Sequence, residues 1–290
     1  MVRSIVLSYK HAFHAGNHAD VIKHLCWIGV IDYLKNKNKP FTVFDTHAGA
    51  GCYSLNDEQV QKNKEYQSGF DPLANVTPQS QLLQRYIETL VPYWQVQQYA
   101  GSPLIGASAL RDQDSGHFME LHPSEAQTLA QVIKDTHARG AHVHHRDGLE
   151  GLRALTPPKP NRGAVLIDPP YERYDEYKEI ETAISGLYKR WNNAQVVLWY
   201  PLLSDRAGVK AGASEKLIEG LKDTAKTAFI AELHVACARD DTGMYGSGVM
   251  VLNPPWQLDV RMDEALKEVC TILQGQSHHR ISWVKTEESQ

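Results

Sequence analysis

Apolar positions recur at helical spacing through residues 20–35 (DVIKHLCWIGVIDYLK), where Val21, Ile22, Leu25, Ile28, Gly29, Ile31 and Leu34 share a repeating face and Asp20 stands at the N-cap position. This spacing predicts a helix. The segment FTVFDTHAGAGCY then reads as a buried strand, Phe41 to Phe44, that turns at Asp45 through a loop carrying Gly49 and Gly51. From Ser54 to about Ala100 the pattern becomes polar and glutamine-rich, and Pro72, Pro78 and Pro92 separate stretches of helical spacing such as SQLLQRYIETL. This part is expected to be an inserted, mostly helical subdomain. Beyond it, His117 to His122 reads as a short strand, PSEAQTLAQVIKDTHARG as a helix with a glycine stop, and AHVHHRDG as a strand and turn. A short helix, the strand GAVLI before DPPY, a helix through Tyr188 and the strand AQVVLWYPL continue the alternation. Repeated β-α units predict an α/β fold with a mostly parallel sheet and helices on both faces. The segment FIAELHVACARDDTGMYGSGVMVLNPPW breaks the rhythm and reads as two strands joined by a glycine-rich connection, an antiparallel finish to the sheet.

Composition narrows the class. The 290 residues are 42% apolar and 22% charged, which suits a folded chain and not a disordered one. The longest nearly unbroken apolar stretch, Val196 to Leu203, contains Pro201 and falls well short of the roughly 20 residues that span a bilayer. At the N-terminus, Ile5, Val6 and Leu7 are too few for a secretory signal core, so the expected location is the cytoplasm. Cys26, Cys52, Cys237 and Cys270 form no C-x-x-C pair, and neither a disulfide framework nor a structural zinc site is expected. A net charge of −4 argues against binding nucleic acid by bulk charge alone. Residues 1–40 nevertheless hold Arg3, Lys10, Lys23, Lys35, Lys37 and Lys39 against Asp20 and Asp32, which makes the N-terminus the basic end.

Three acidic strand ends and one glycine loop carry the candidate chemistry. Asp45 through Gly51 (DTHAGAG) lies where an α/β sheet binds nucleotide-like ligands at its carboxyl edge, and glycine there lets a ligand approach the backbone. The third glycine of a dinucleotide fingerprint is missing, with Tyr53 and Ser54 in that region, which argues against NAD. Glu120, ending the next strand, is placed to accept hydrogen bonds from both ribose hydroxyls. Asp147, followed by Gly148, is placed to accept from the exocyclic amine of an adenine ring. The strongest signal is Asp168-Pro169-Pro170-Tyr171 after GAVLI. The prolines fix φ and lack N–H groups, so the Pro169 carbonyl and the Asp168 carboxylate can converge as acceptors on one amine. Tyr171 would offer a flat face to an extruded base. Asn253-Pro254-Pro255-Trp256 fits the same loose pattern but arrives at the far end of the sheet, where a structural role is expected. The histidines, although numerous, show no metal-ligand spacing, and no metal is expected.

The segments LSYKHAFHAGNHADVIKH, FDTHAGAG, GSPLIG, MELHPSE, Asp147-Gly148, LIDPPYE, LWYPL and GMYGSGVMVLNPPW together resemble the RlmJ-type 23S rRNA adenine-N6 methyltransferases, from about Leu7 to the C-terminus. The resemblance implies a Rossmann-like class I methyltransferase fold using S-adenosylmethionine on an adenine of 23S rRNA, with no membrane association and a monomer as the working unit. It further implies that residues 1–40 form a tail and helix covering the active site, that 41–53 and 101–290 form the methyltransferase domain, and that 54–100 are the insert. By position it places Tyr9 and His11 near the target base, and Lys23, His24, His47, Gly49, Ser102, Glu120, Asp147 and Gly148 at the cofactor. Asp168 becomes the catalytic residue. A DNA adenine methyltransferase would use the same loop, because the loop reads an amine and not a 2′-hydroxyl. A nucleic-acid-binding protein serving the use of external DNA would keep the fold without turnover.

Overall fold

The computed structural model describes residues 10–236 and 243–286. Helix α1 (His18–Lys35) leads into strand β1 (Thr42–Asp45), a short strand β2 (Cys52–Ser54), helices α2 (Glu58–Asn63) and α3 (Gln81–Trp94), strand β3 (Gln98–Ala100) and helix α4 (Ser102–Ser108). The alternation then runs through β4 (Ser115–Glu120), α5 (Pro123–Asp135), β5 (Ala141–His145), α6 (Gly148–Leu155), β6 (Gly163–Ile167), α7 (Asp175–Tyr188), β7 (Gln195–Leu203), α8 (Ala213–Leu221) and β8 (Ala228–His234). Strand β9 (Met244–Leu252), helix α9 (Leu258–Leu273) and strand β10 (His278–Lys285) complete the fold.

Eight strands form one sheet in the order β10-β8-β9-β7-β6-β1-β4-β5. Strands β5, β4, β1, β6 and β7 run parallel, whereas β9 lies antiparallel between β7 and β8, and β10 runs antiparallel along β8. The central strands β1 and β6 are buried along their whole length, as continuous apolar runs between two helical layers require. Side chains alternate between two cores: Val43 packs with Trp27, Tyr86 and Leu258 on one face, and Phe44 packs with Ile184, Trp191 and Leu217 on the other. Within 54–100, Phe70, Leu82 and Tyr86 belong to the same apolar cluster as Trp27 of α1, and β3 pairs with β2 as a separate ribbon.

The chain winds from β1 outward to β4 and β5, then crosses to β6 on the other side of β1. Because β1 and β6 are adjacent and parallel, with Asp45 opposite Leu166, the glycine loop and the Asp168 turn leave the sheet side by side at a topological switch point. Three local expectations are corrected. Helix α1 is capped by Asn17, whose side chain accepts from the Ala19 and Asp20 N–H groups at 2.9 and 3.0 Å, so Asp20 is freed for other partners. The strand expected at His117–His122 runs from Ser115 to Glu120, and β10 extends the antiparallel finish by one strand beyond the expected pair.

Candidate active site

A cleft of about 530 Å³ opens at the carboxyl edge of the sheet, lined by His11, Lys23, His24, His47, Ser102, Glu120, Asp147, Gly148, Asp168 and Pro169. The loop after β1 is tied to β4 by Ala48, whose N–H donates to the Met119 carbonyl at 2.9 Å. Gly49, at φ +61°, turns its N–H onto Glu120 Oε2 at 2.8 Å, while the His122 N–H reaches Glu120 Oε1 at 2.6 Å. Two backbone donors thus fix the Glu120 carboxylate, and each oxygen retains a lone pair for a ligand hydroxyl. Asp147 caps α6, with Oδ1 accepting from the Glu150 N–H at 2.8 Å, and it also lines the cleft. Gly148 has a packing reason of its own, since a Cβ there would collide with the Thr46 carbonyl. Ser102, the first residue of α4, donates to Asp45 Oδ2 at 2.7 Å. Burial pushes the Asp45 carboxyl up to about 7, against the pull of the Ser102 hydrogen bond. Burial likewise holds His47 below the ordinary imidazole value.

Asp168 follows the last residue of β6 and is joined to α1 across the cleft. Lys23 Nζ donates to Asp168 Oδ2 at 2.5 Å and pairs with Asp20 Oδ1 at 2.8 Å. Burial alone would lower the Lys23 pKa, but the two carboxylates outweigh it and hold the ammonium above its ordinary value. Asp20 is fully buried and also accepts from the Gly16 N–H at 2.8 Å, with His11 Nε2 at 3.0 Å from the same carboxylate oxygen. Burial alone would raise it, yet the neighbouring His11 and Lys23 hold it well below the usual carboxylate range. Asp20 is therefore a hub between the N-terminal segment and the Asp168 turn, a part that its capping propensity concealed.

Three side chains show contacts that the sequence pattern does not reveal. Lys23, expected at the cofactor, lines the cleft and also contacts Asp168. His24 lines the same wall but is fully buried, with Nδ1 3.0 Å from the Tyr99 hydroxyl, so it shapes the cleft and presents little surface to a ligand. Tyr171, expected to stack on a base, is turned inward. Its ring is 3% exposed and lies 4.4 Å from that of Tyr177, and its hydroxyl donates to the Trp199 carbonyl at 2.9 Å. The rule of an aromatic after Pro-Pro names the residue type but not the side of the turn it takes. Tyr9 lies outside the described residues. Tyr53, Glu176 and Ile180 also line the cleft. The last two stand four residues apart on α7, a helical spacing directly after the Asp168–Tyr171 turn that could have marked them.

The second Pro-Pro segment sits elsewhere. Strand β9 runs against β7, with Leu252 opposite Val196, so Asn253 emerges at the edge where β7 begins, across the sheet from Asp168. Its amide donates to the Asn192 and Ala194 carbonyls at 2.9 and 3.1 Å and accepts from the Lys226 N–H at 3.2 Å. On neighbouring strands His117 stacks on His142 and lies tilted against His144, with His117 Nδ1 3.0 Å from His144 Nε2. Among the described residues no group of three histidine, cysteine or acidic side chains is arranged to hold a metal ion.

Comparison with known proteins follows the same lines. Residues 38–285 match the family model described as ribosomal RNA large subunit methyltransferase D, RlmJ. Ribosomal RNA large subunit methyltransferase J of Escherichia coli is 39% identical, and that of Haemophilus influenzae 37% identical, each alignment covering 97% of this chain and 100% of the relative. The crystal structure of protein LPL1258 from Legionella pneumophila superposes with a TM-score of 0.82 at 32% identity, over 93% of this chain and 98% of that one.

Proposed function

This chain belongs to the RlmJ family of ribosomal RNA large subunit methyltransferases, and from that premise we propose that it methylates the exocyclic N6 of an adenine in 23S rRNA, with Asp168 as the catalytic residue. The observation that carries this reading is the meeting of Asp168, Pro169 and the doubly anchored Glu120 in one cleft at the switch point. The donor set suits S-adenosylmethionine: Glu120 for the ribose hydroxyls, Asp147 for the adenine amine, and the glycine loop for close approach of the backbone. Bound there, the cofactor supplies an electrophilic methyl group on a cationic sulfur.

The residues of the chain do the rest. An adenine amine is a poor nucleophile because its lone pair is conjugated with the ring. Hydrogen bonds from its two N–H groups to the Asp168 carboxylate and the Pro169 carbonyl favour a pyramidal nitrogen and aim its lone pair at the methyl carbon. Lys23 holds Oδ2 of Asp168, which leaves Oδ1 for the amine. The proton left over on nitrogen after transfer passes to Asp168 or to water. An adenine can enter this cleft only when single-stranded or flipped out, and Lys10 at the cleft would hold an adjacent phosphate, with Tyr9 and His11 at the base. On this reading residues 1–40 cover the site, 41–53 with 101–290 form the catalytic domain, and 54–100 are an insert. A monomer is the proposed working unit, and a ribosomal substrate supports a cytoplasmic setting.

The test incubates the protein with tritiated-methyl S-adenosylmethionine and either unmodified 23S rRNA or duplex DNA, then digests each product to nucleosides. Label in N6-methyladenosine from the rRNA is the expected result. Label confined to DNA, or none in either, would refute the reading.

A further inference from the structure

The catalytic turn is fastened at both ends, and the fastening at its far end uses a residue with no other assigned role. At the near end, β6 pairs with β7 as far as Ile167 opposite Leu198, immediately before Asp168. Pro169 and Pro170 restrict the next two φ angles. Tyr171 then adopts φ +49°, a left-handed conformation that an L side chain takes only when its surroundings impose it. Its hydroxyl is anchored on the Trp199 carbonyl at 2.9 Å, and its own carbonyl accepts from Lys210 Nζ at 3.1 Å. Lys210 is half-buried and ends the short helical turn Asp205–Lys210, which follows β7 at the sheet edge that bears the cleft.

We propose that Lys210 is a positioning residue for methyl transfer: by holding the Tyr171 carbonyl it sets the far end of the Asp168–Tyr171 turn, and thereby the direction of the Pro169 carbonyl toward the target amine. This rests on the reading of Asp168 as the catalytic residue. The turn has few internal freedoms, so a clamp at Tyr171 is felt at Pro169 two residues away. A cationic donor suits the task, because hydrogen bonds from charged groups are stronger than neutral ones and survive beside a wet cleft. A lysine serving only to attract RNA would extend toward solvent and would not spend its ammonium on a backbone carbonyl.

The experiment compares Lys210→Met, which keeps the apolar stem and removes the donor, with Lys210→Arg, which keeps a cationic donor, using unmodified 23S rRNA. Lys210→Leu, which likewise removes the donor, provides a second series should the Met variant fold poorly. For Lys210→Met the expected result is a kcat lower by about 10- to 100-fold, in line with a small misplacement of reacting groups. Its KM for rRNA and its affinity for S-adenosylmethionine should stay within about threefold of wild type, with Lys210→Arg recovering most of the rate. Full kcat in a folded Lys210→Met or Lys210→Leu would overturn the proposal, as would a loss confined to KM with a weaker dependence on salt, which would make Lys210 a phosphate contact. Asp168→Ala serves as the control: if it retained full activity, the reading of the turn itself would fail, whereas an inactive Asp168→Ala beside a fully active Lys210→Met would sink the clamp alone.

Discussion

Lys23 joins two acidic residues that the chain places far apart, the buried Asp20 and the cleft-facing Asp168, and its ammonium touches both, at 2.8 and 2.5 Å. Removing one partner from such a network leaves charge uncompensated in a poorly solvated site, at a cost of about 3–5 kcal/mol. Lys23→Met is therefore expected to lose stability of that order in urea unfolding and to lower kcat as well, because Asp168 Oδ2 loses its anchor. Unchanged stability would show that the ammonium does not hold the pair. At this scale the sequence announces groups whose chemistry is local: Asp168 and Pro169 follow from the Pro-Pro turn, and Glu120 and Asp147 from their places at strand ends. The inward turn of Tyr171 and the pairing of Lys23 with Asp168 escape the local pattern for a common reason. Which way a side chain leaves a turn, or which carboxylate a lysine meets 145 residues away, depends on packing that no local pattern encodes.

Helix α1 carries two histidines at its entry and in its buried wall that fold in the neutral form. Burial lowers the pKa of His24 to about 3 and that of His18 to about 4. The unfolded chain, with ordinary imidazoles, binds the proton first as pH falls. Their contribution to stability is therefore fully present above about pH 6.5 and is lost as pH drops toward the folded-state values. Each group can remove up to about 1.4 kcal/mol per pH unit in that window. Asp45 works in the opposite sense, because its raised pKa makes the folded state the better proton binder between the ordinary carboxylate range and about 7. The expected outcome is thus a difference: His24→Gln should lose less stability than wild type between pH 7 and pH 5 in urea titrations. Parallel pH profiles for the two proteins would contradict it. Element by element, the β-α alternation was legible because apolar periodicity survives in each segment. The insertion of β9 between β7 and β8 and the addition of β10 were not, since strand order is settled by pairings between distant segments. Asn17 and Asp20 are both good caps three residues apart, and only the partners Gly16, His11 and Lys23 explain why Asp20 turns inward.

At the scale of the molecule, the direction of each strand decides which of two similar Pro-Pro segments can act. Strand β6 runs toward the cleft and delivers Asp168 there, whereas β9 runs the other way and delivers Asn253 to the opposite edge, where its amide ties three backbone groups together. Asn253→Ala is expected to lose about 1–3 kcal/mol of stability through those unmet hydrogen bonds and to keep most of its methyl-transfer rate at a temperature where it remains folded. A folded but inactive Asn253→Ala would place the reaction at the other edge of the sheet. The most direct test of the mechanism is a single-turnover measurement of tritiated-methyl transfer from S-adenosylmethionine to unmodified 23S rRNA by wild type and Asp168→Ala, with cofactor binding followed by calorimetry in both. The expected result is binding within a few-fold of wild type and a transfer rate lower by about a thousandfold or more. Wild-type transfer by Asp168→Ala would contradict it.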